Sequence, residues 1–293
     1  MSATTQLRAV TGGRTPRRAR AGVRRPNVLG ALGGYAWLLL IVIPVYYIVI
    51  TSLRRQEGFF SENQLLPPAN PTLDAYALVL QGDFALYLIN SVIVTVVTVG
   101  VTVAASLMAA FVIVRSTHWT ARASFALLLM GLAIPLQATI VPLFFMLSQV
   151  GLYDSLAAVI LPSIGFAVPI TVLILVNFIR DIPAELFDSM KVDGAGQWRI
   201  LWSLVAPLAR PAITTVAIYD ALTVWNAFLF PLVLTQSPEN RVLPLALWTF
   251  QGEFNVNVPG IMAAVVLSTL PILVLYIFGR RHIVSGMTAG FGK

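Results

Sequence analysis

Cysteine is absent from all 293 residues. Without a thiol the chain has no disulfide scaffold, no Cys-ligated zinc or iron–sulfur centre and no thiol nucleophile, although that absence fits reducing and oxidising compartments alike. Charge is scarce too. Only 11% of residues are Asp, Glu, Lys or Arg, where a soluble domain carries roughly a quarter. With 58% hydrophobic residues and a mean hydropathy of +0.84, one core cannot bury the apolar side chains, so lipid has to solvate much of the surface. A water-soluble globule, a disordered chain and a collagen-like repeat are all excluded. The net charge of +7 would suit nucleic acid only if the basic residues shared one folded face. Seven of the Arg residues instead lie within residues 1–30, so no nucleic-acid partner is expected.

What is abundant is long uncharged sequence. A spanning helix needs about 20 mostly apolar residues, and six stretches qualify: 31–53, 84–114, 123–153, 155–179, 211–238 and 255–279. Only the fifth contains a charge, Asp220. Basic loops remain on the cytoplasmic side of a membrane. With six spans and both termini inside, 16 of the 19 Lys and Arg residues fall on one side, leaving Arg54, Arg55 and Arg241 on the other. The expectation is an all-α, multi-pass membrane protein, with a basic cytoplasmic tail (1–30) and one transmembrane domain (31–293). Arg17-Arg18 and Arg24-Arg25 before an apolar run resemble a secretion signal, but the run is long and lacks a small-x-small cleavage pattern, which favours an uncleaved anchor.

One cytoplasmic segment, 180–211, is longer than a helix hairpin requires. Asp181 is a candidate N-cap, Pro183 suits a first turn, and Glu185 and Asp188 favour the positive end of a helix dipole. A short helix to about Val192 is predicted, ended by Asp193-Gly194, since glycine takes left-handed angles without steric cost. A second helical piece from Gln197 to Val205 then runs to Pro207. Leu186, Phe187, Met190, Trp198 and Trp202 are expected to face a partner. Four acidic and four basic residues in this segment favour a protein partner over plain lipid docking.

At these residues the chain resembles the permease subunits of ATP-binding-cassette importers, specifically the carbohydrate-uptake branch. The family signature is Glu-Ala-Ala, three residues, Gly, nine residues, an aliphatic, one residue, then Leu-Pro. Asp188-Ser189-Met190, Gly194, Leu204 and Ala206-Pro207 fall at those spacings. Asp replaces Glu, Ser-Met replaces Ala-Ala, and Ala206 replaces Leu. Shorter resemblances follow in order: Pro71-Thr72-Leu73-x-x-Tyr76, Asn90-Ser91, Ile134-Pro135, Pro142-Leu143, Gly151-Leu152, Trp225-Asn226-x-Phe228 with Pro231-Leu232, and Ile283-Val284-x-Gly286 with Gly290 and Lys293. The resemblance implies a bundle of about six helices pairing with a second permease, two ATP-binding subunits and an extracellular or periplasmic solute-binding protein. It also implies that Glu185, Asp188, Asp193, Gly194 and Pro207 couple the loop to the ATPase.

No phosphate-binding loop is present, because Met287 stands where Gly292-Lys293 would require a glycine. The chain is therefore not expected to be an enzyme or to hold a cofactor, ATP and Mg being bound by partner subunits. His118 and His282 lie in separate cytoplasmic connectors without metal-ligand spacing. A carboxylate at the centre of a membrane helix costs roughly 2.5–3.5 kcal/mol, so Asp220 should face protein or water. On a helical wheel Thr215, Tyr219, Asp220, Thr223 and Asn226 share an arc, while Trp225 points away. Asp220, Tyr219, Thr223 and Asn226 either line a translocation path or pack helices, and both readings stand. A second stripe, Ser91, Thr95, Thr98, Thr102 and Ser106, favours packing over pore lining. Two rival classes remain: a stand-alone secondary transporter would want more membrane carboxylates or broken, inverted-repeat helices, and an intramembrane enzyme a second catalytic group.

Overall fold

The computed structural model describes residues 28–247 and 256–289. The first 27 residues of the basic tail, with Gly290 and Lys293, lie outside the described residues. The chain forms two compact units, 1–44 and 45–293. In the first, residues 28–44 are the exposed, uncharged start of helix α1 (Val28–Ser52). Everything below concerns the second.

The described residues there fold into helices and their connectors. A short helix α2 (Asp74–Gln81) precedes the long α3 (Phe84–Arg115), then α4 (Trp119–Gly131), α5 (Leu136–Gln149) and the long α6 (Leu156–Arg180). The loop segment contributes α7 (Ala184–Val192), α8 (Gln197–Ile200) and α9 (Ala206–Leu208), and α10 (Arg210–Trp225) returns into the bundle. α11 (Leu229–Leu234), α12 (Leu243–Ala246) and α13 (Val258–Ala289) complete it. α3 and α6 make the most extensive pairing, and α10 packs against α3, α6 and α13.

The hydroxyl stripe of α3 lies inside the bundle. Ser91, Thr98, Thr102 and Ser106 are buried, as packing requires, because small side chains let helices approach closely. Asn90 and Ser91 lie almost two turns inside α3 rather than opening it. Their side chains hold the far connector: Asn90 Nδ2 donates to the carbonyls of Glu239 (2.7 Å) and Arg241 (2.8 Å), and Ser91 Oγ accepts from the Leu243 amide at 2.8 Å.

α1, α3 and α6 are long and apolar enough to cross a membrane unaided. The third and fifth candidate spans are not single helices. Stretch 123–153 forms α4 and α5, bent by 102°. Pro135 lacks an amide and its ring disfavours the helical conformation for Ile134, so α4 cannot continue. Gly131 ends α4 against α6, where an added Cβ would sit 3.2 Å from Pro169 Cγ. Stretch 211–238 ends as helix at Trp225, where Asn226 turns its side-chain amide back onto the Leu222 carbonyl at 2.7 Å. The sixth stretch begins a helix that runs on to Ala289, so His282 and Ile283-Val284-x-Gly286 are helical rather than in a connector.

Candidate coupling loop and membrane cleft

The loop folds much as its turn chemistry demands, with corrections. Asp181 does not cap α7. It follows the last residue of α6, and Pro183, in an extended conformation, precedes α7. The fixed φ of proline starts the helix without a side-chain cap. α7 then ends through Asp193 at Gly194, whose φ is +76°. The Gly194 amide donates to Lys191 O at 2.9 Å, and the Ala195 amide to Met190 O at 2.9 Å.

The second piece does not stop at Pro207. It continues to Leu208 through a π turn, Leu201–Val205, in which the Ala206 amide reaches back to the Leu201 carbonyl. The widened turn carries proline into the helix without the usual interior clash. A bend of 76° then separates Gln197–Leu208 from α10.

Glu185, Asp188, Asp193, Gly194 and Pro207 are all exposed. Glu185 makes no hydrogen bond or ion pair among the described residues, and Asp188 only a loose one to Lys191 at 3.4 Å. Trp198 and Trp202 are exposed as expected. Phe187 is not: at 2% exposure it belongs to a core cluster with residues of α3, α6 and α10, and half-buried Met190 packs on the same cluster. Helical spacing could not separate the inward from the outward apolar residues of so short a helix.

Asp220 is 1% exposed, and Thr171 Oγ1 of α6 donates to its Oδ2 at 2.9 Å. The arc around it divides. Tyr219, Thr223 and Asn226 are exposed, and Thr215 is half-buried, its hydroxyl donating to Pro211 O. An arc of about 140° on a helix wheel is too wide to face one neighbour. Even so, Tyr219, Asp220 and Thr223 border one cleft of ≈ 110 Å³ between α6 and α10, with Ser163 and Phe166 on the opposite wall. Asn226 is absent from that wall and serves as the α10 terminator. Trp225 points away from the cleft, its Nε1 donating to Ser268 O of α13 at 3.3 Å.

Two charged residues that sequence reasoning left unassigned hold the end of the bundle opposite the loop. Arg54 is buried, pairing with Glu62 at 2.8 Å and donating to the carbonyls of Asn63 and Leu66. Asp154, with a left-handed φ of 55°, accepts from the Gln236 amide (2.8 Å), the Ser237 amide (3.0 Å) and the Ser237 hydroxyl. Its carbonyl accepts from Asn240 Nδ2 at 2.7 Å. These donors, the Ser237 hydroxyl first, hold its carboxyl down at about 2. The single charge between two apolar stretches was the available signal for Asp154; its partners lie more than 80 residues away.

The described residues form an apolar helical bundle with an exposed helix–glycine–helix loop, the fold of a membrane protein. The chain belongs to the family of binding-protein-dependent transport system inner membrane components, whose pattern matches residues 101–289. It is the permease subunit of an ABC importer, a membrane component of a transport system and not its catalytic subunit. It is 38% identical over 257 residues to the ORF2 product of Caldicellulosiruptor sp. (strain Rt8B.4), assigned there as an ABC transporter permease, covering 88% of this chain and 94% of that one. Against the trehalose transport system permease protein SugB of Mycobacterium tuberculosis the identity is 32% over 279 residues, with 93% and 99% covered. A crystal structure of a bacterial ABC transporter that imports alginate shares the fold: TM-score 0.66, 15% identity, 91% of this chain and 96% of that chain covered.

Proposed function

We propose that this chain is the permease half of an importer for sugars or oligosaccharides. It crosses the bacterial inner membrane six times with both termini in the cytoplasm. It works with a second permease, two ATP-binding subunits that hold ATP and Mg, and an extracellular or periplasmic solute-binding protein. The observation that carries the coupling role is α7: an exposed acidic helix, hinged at a left-handed Gly194, with Glu185 unpaired among the described residues. The sugar class rests on relatives named for trehalose and diacetylchitobiose.

The contacts at the two ends of the bundle support the crossing pattern. The start of α3, the α5–α6 turn at Asp154 and the connector after α11 meet at one end, while Arg115, α7 and the start of α10 gather at the other. ATP-driven closure of the ATPase subunits moves the docked loops and swings the bundle between inward and outward access. The cleft between α6 and α10 is the segment of the path this subunit contributes, with Asp220, Tyr219 and Thr223 on its wall.

The test is affinity purification of the tagged chain from its own membrane. ATPase subunits and a second permease should come with it, and uptake of a labelled sugar should require ATP. Uptake by the chain alone would return the secondary-transporter reading.

A further inference from the structure

We propose that Phe187 is the pin that joins α7 to the membrane bundle, with Arg115 clamped over it. Motion of the coupling loop then reaches α3 and α6 directly rather than through the polypeptide. The inference rests on the importer reading above and names a positioning residue within it.

Of the nine residues of α7, Phe187 alone is buried. Met190, three positions on and therefore on the same face, is half-buried against the same cluster. The opposite face presents Glu185, Asp188 and Val192 to solvent. The cluster that receives Phe187 contains Leu107 and Phe111 of α3 and Leu175, Val176 and Ile179 of α6. Dense side-chain packing of this kind transmits displacement because it has no slack.

Arg115 is the last residue of α3, and its guanidinium carbon lies 4.5 Å from the centroid of the Phe187 ring. A cation over a ring face is attracted by the ring quadrupole, and a positive charge at a helix C-terminus is favourable in its own right. One side chain therefore ties the end of α3 to α7. The segments that flank α7 pack on the same cluster, Ile182 before it and Ile200, Leu201 and Val205 after it. Phe187 is the buried contact that α7 itself makes.

The chain has no cysteine, so two can be introduced freely. Spin labels at Val112→Cys on α3 and Val192→Cys on α7, 56% and 87% exposed, report the distance between the two helices in the complex with its ATPase subunits. One narrow distance is expected, unchanged when ATP binds. Phe187→Ala should broaden it and make it change with ATP, Arg115→Gln should do so partially, and Arg115→Lys should restore the native width. A distance that shifts with ATP in the otherwise native chain, or one that stays narrow and constant in Phe187→Ala, overturns the pin. If Phe187→Ala does not assemble, Arg115→Gln against Arg115→Lys decides, since a merely structural defect would not be rescued by another cation. If no ATPase subunits accompany the native chain, the importer reading fails, and the ATP-free widths of the same variants still test the pin.

Discussion

Gly194 separates backbone strain from crowding. A Cβ added there meets nothing within 4 Å, yet φ is +76°. A β-branched residue in a left-handed conformation should cost roughly 1–2 kcal/mol from the backbone alone. Gly194→Val is therefore expected to insert and assemble normally while transport per ATP hydrolysed falls, and Gly194→Asn, which tolerates that conformation, should restore it. Asp154 gives a pH dependence. Its folded value of about 2 lies below the ordinary 3.8, so its contribution to stability is complete above the ordinary value and disappears as pH falls through the folded one. Thermal unfolding of the native chain should steepen in that acid window, whereas Asp154→Ala should begin less stable at neutral pH and lack that component. Asp220 discriminates path from packing. If the cleft conducts solute, Asp220→Asn should alter uptake with assembly intact. If Asp220 only joins α10 to Thr171, Asn still bonds and uptake persists, while Asp220→Leu strands the buried Thr171 hydroxyl and costs about 1–3 kcal/mol.

Helices in this bundle are shaped by what they must approach. α3 buries hydroxyls along one face, and those of Thr98, Thr102 and Ser106 have no hydrogen-bond partner among the described residues. A buried hydroxyl without a partner adds desolvation cost and no bond, so replacing it by an apolar group of the same shape should be neutral or stabilising. Thr98→Val is expected to leave the melting temperature of the purified complex unchanged or raise it, whereas Thr98→Leu should lower it by overpacking. α7 makes the contrasting case, because its outward face packs on no other element among the described residues. Breaking a buried charge pair at a protein interface costs about 2–5 kcal/mol. Glu185→Lys and Asp188→Lys should therefore lower the yield of copurified ATPase at moderate salt; native yield from both would remove these residues from the contact.

Among the described residues, large apolar side chains are exposed along α3, α4 and α5 and along α13 as far as Ile277, which only lipid or partner helices can cover. Its ends differ in kind. One is closed by specific bonds from Asn90, Arg54 and Asp154, the other carries the acidic helix and exposed Trp198 and Trp202.

Amino-acid order alone determined the lipid solvent, the positions of α1, α3 and α6, and the glycine-hinged loop, because each depends on neighbours within a few residues: an apolar run, a proline at a first turn, a glycine where φ is positive. The order of charges likewise marked Asp220 as a residue needing a partner. Folding in three dimensions decided everything that depends on distant segments. It turned Phe187 inward while leaving Leu186 out, and split the polar arc of α10 between Thr171 and the cleft. It also gave Asp154 partners more than 80 residues away. Periodicity states which residues share a face, but the width of that face exceeds the reach of one neighbouring helix, and the choice among neighbours is made only when they pack.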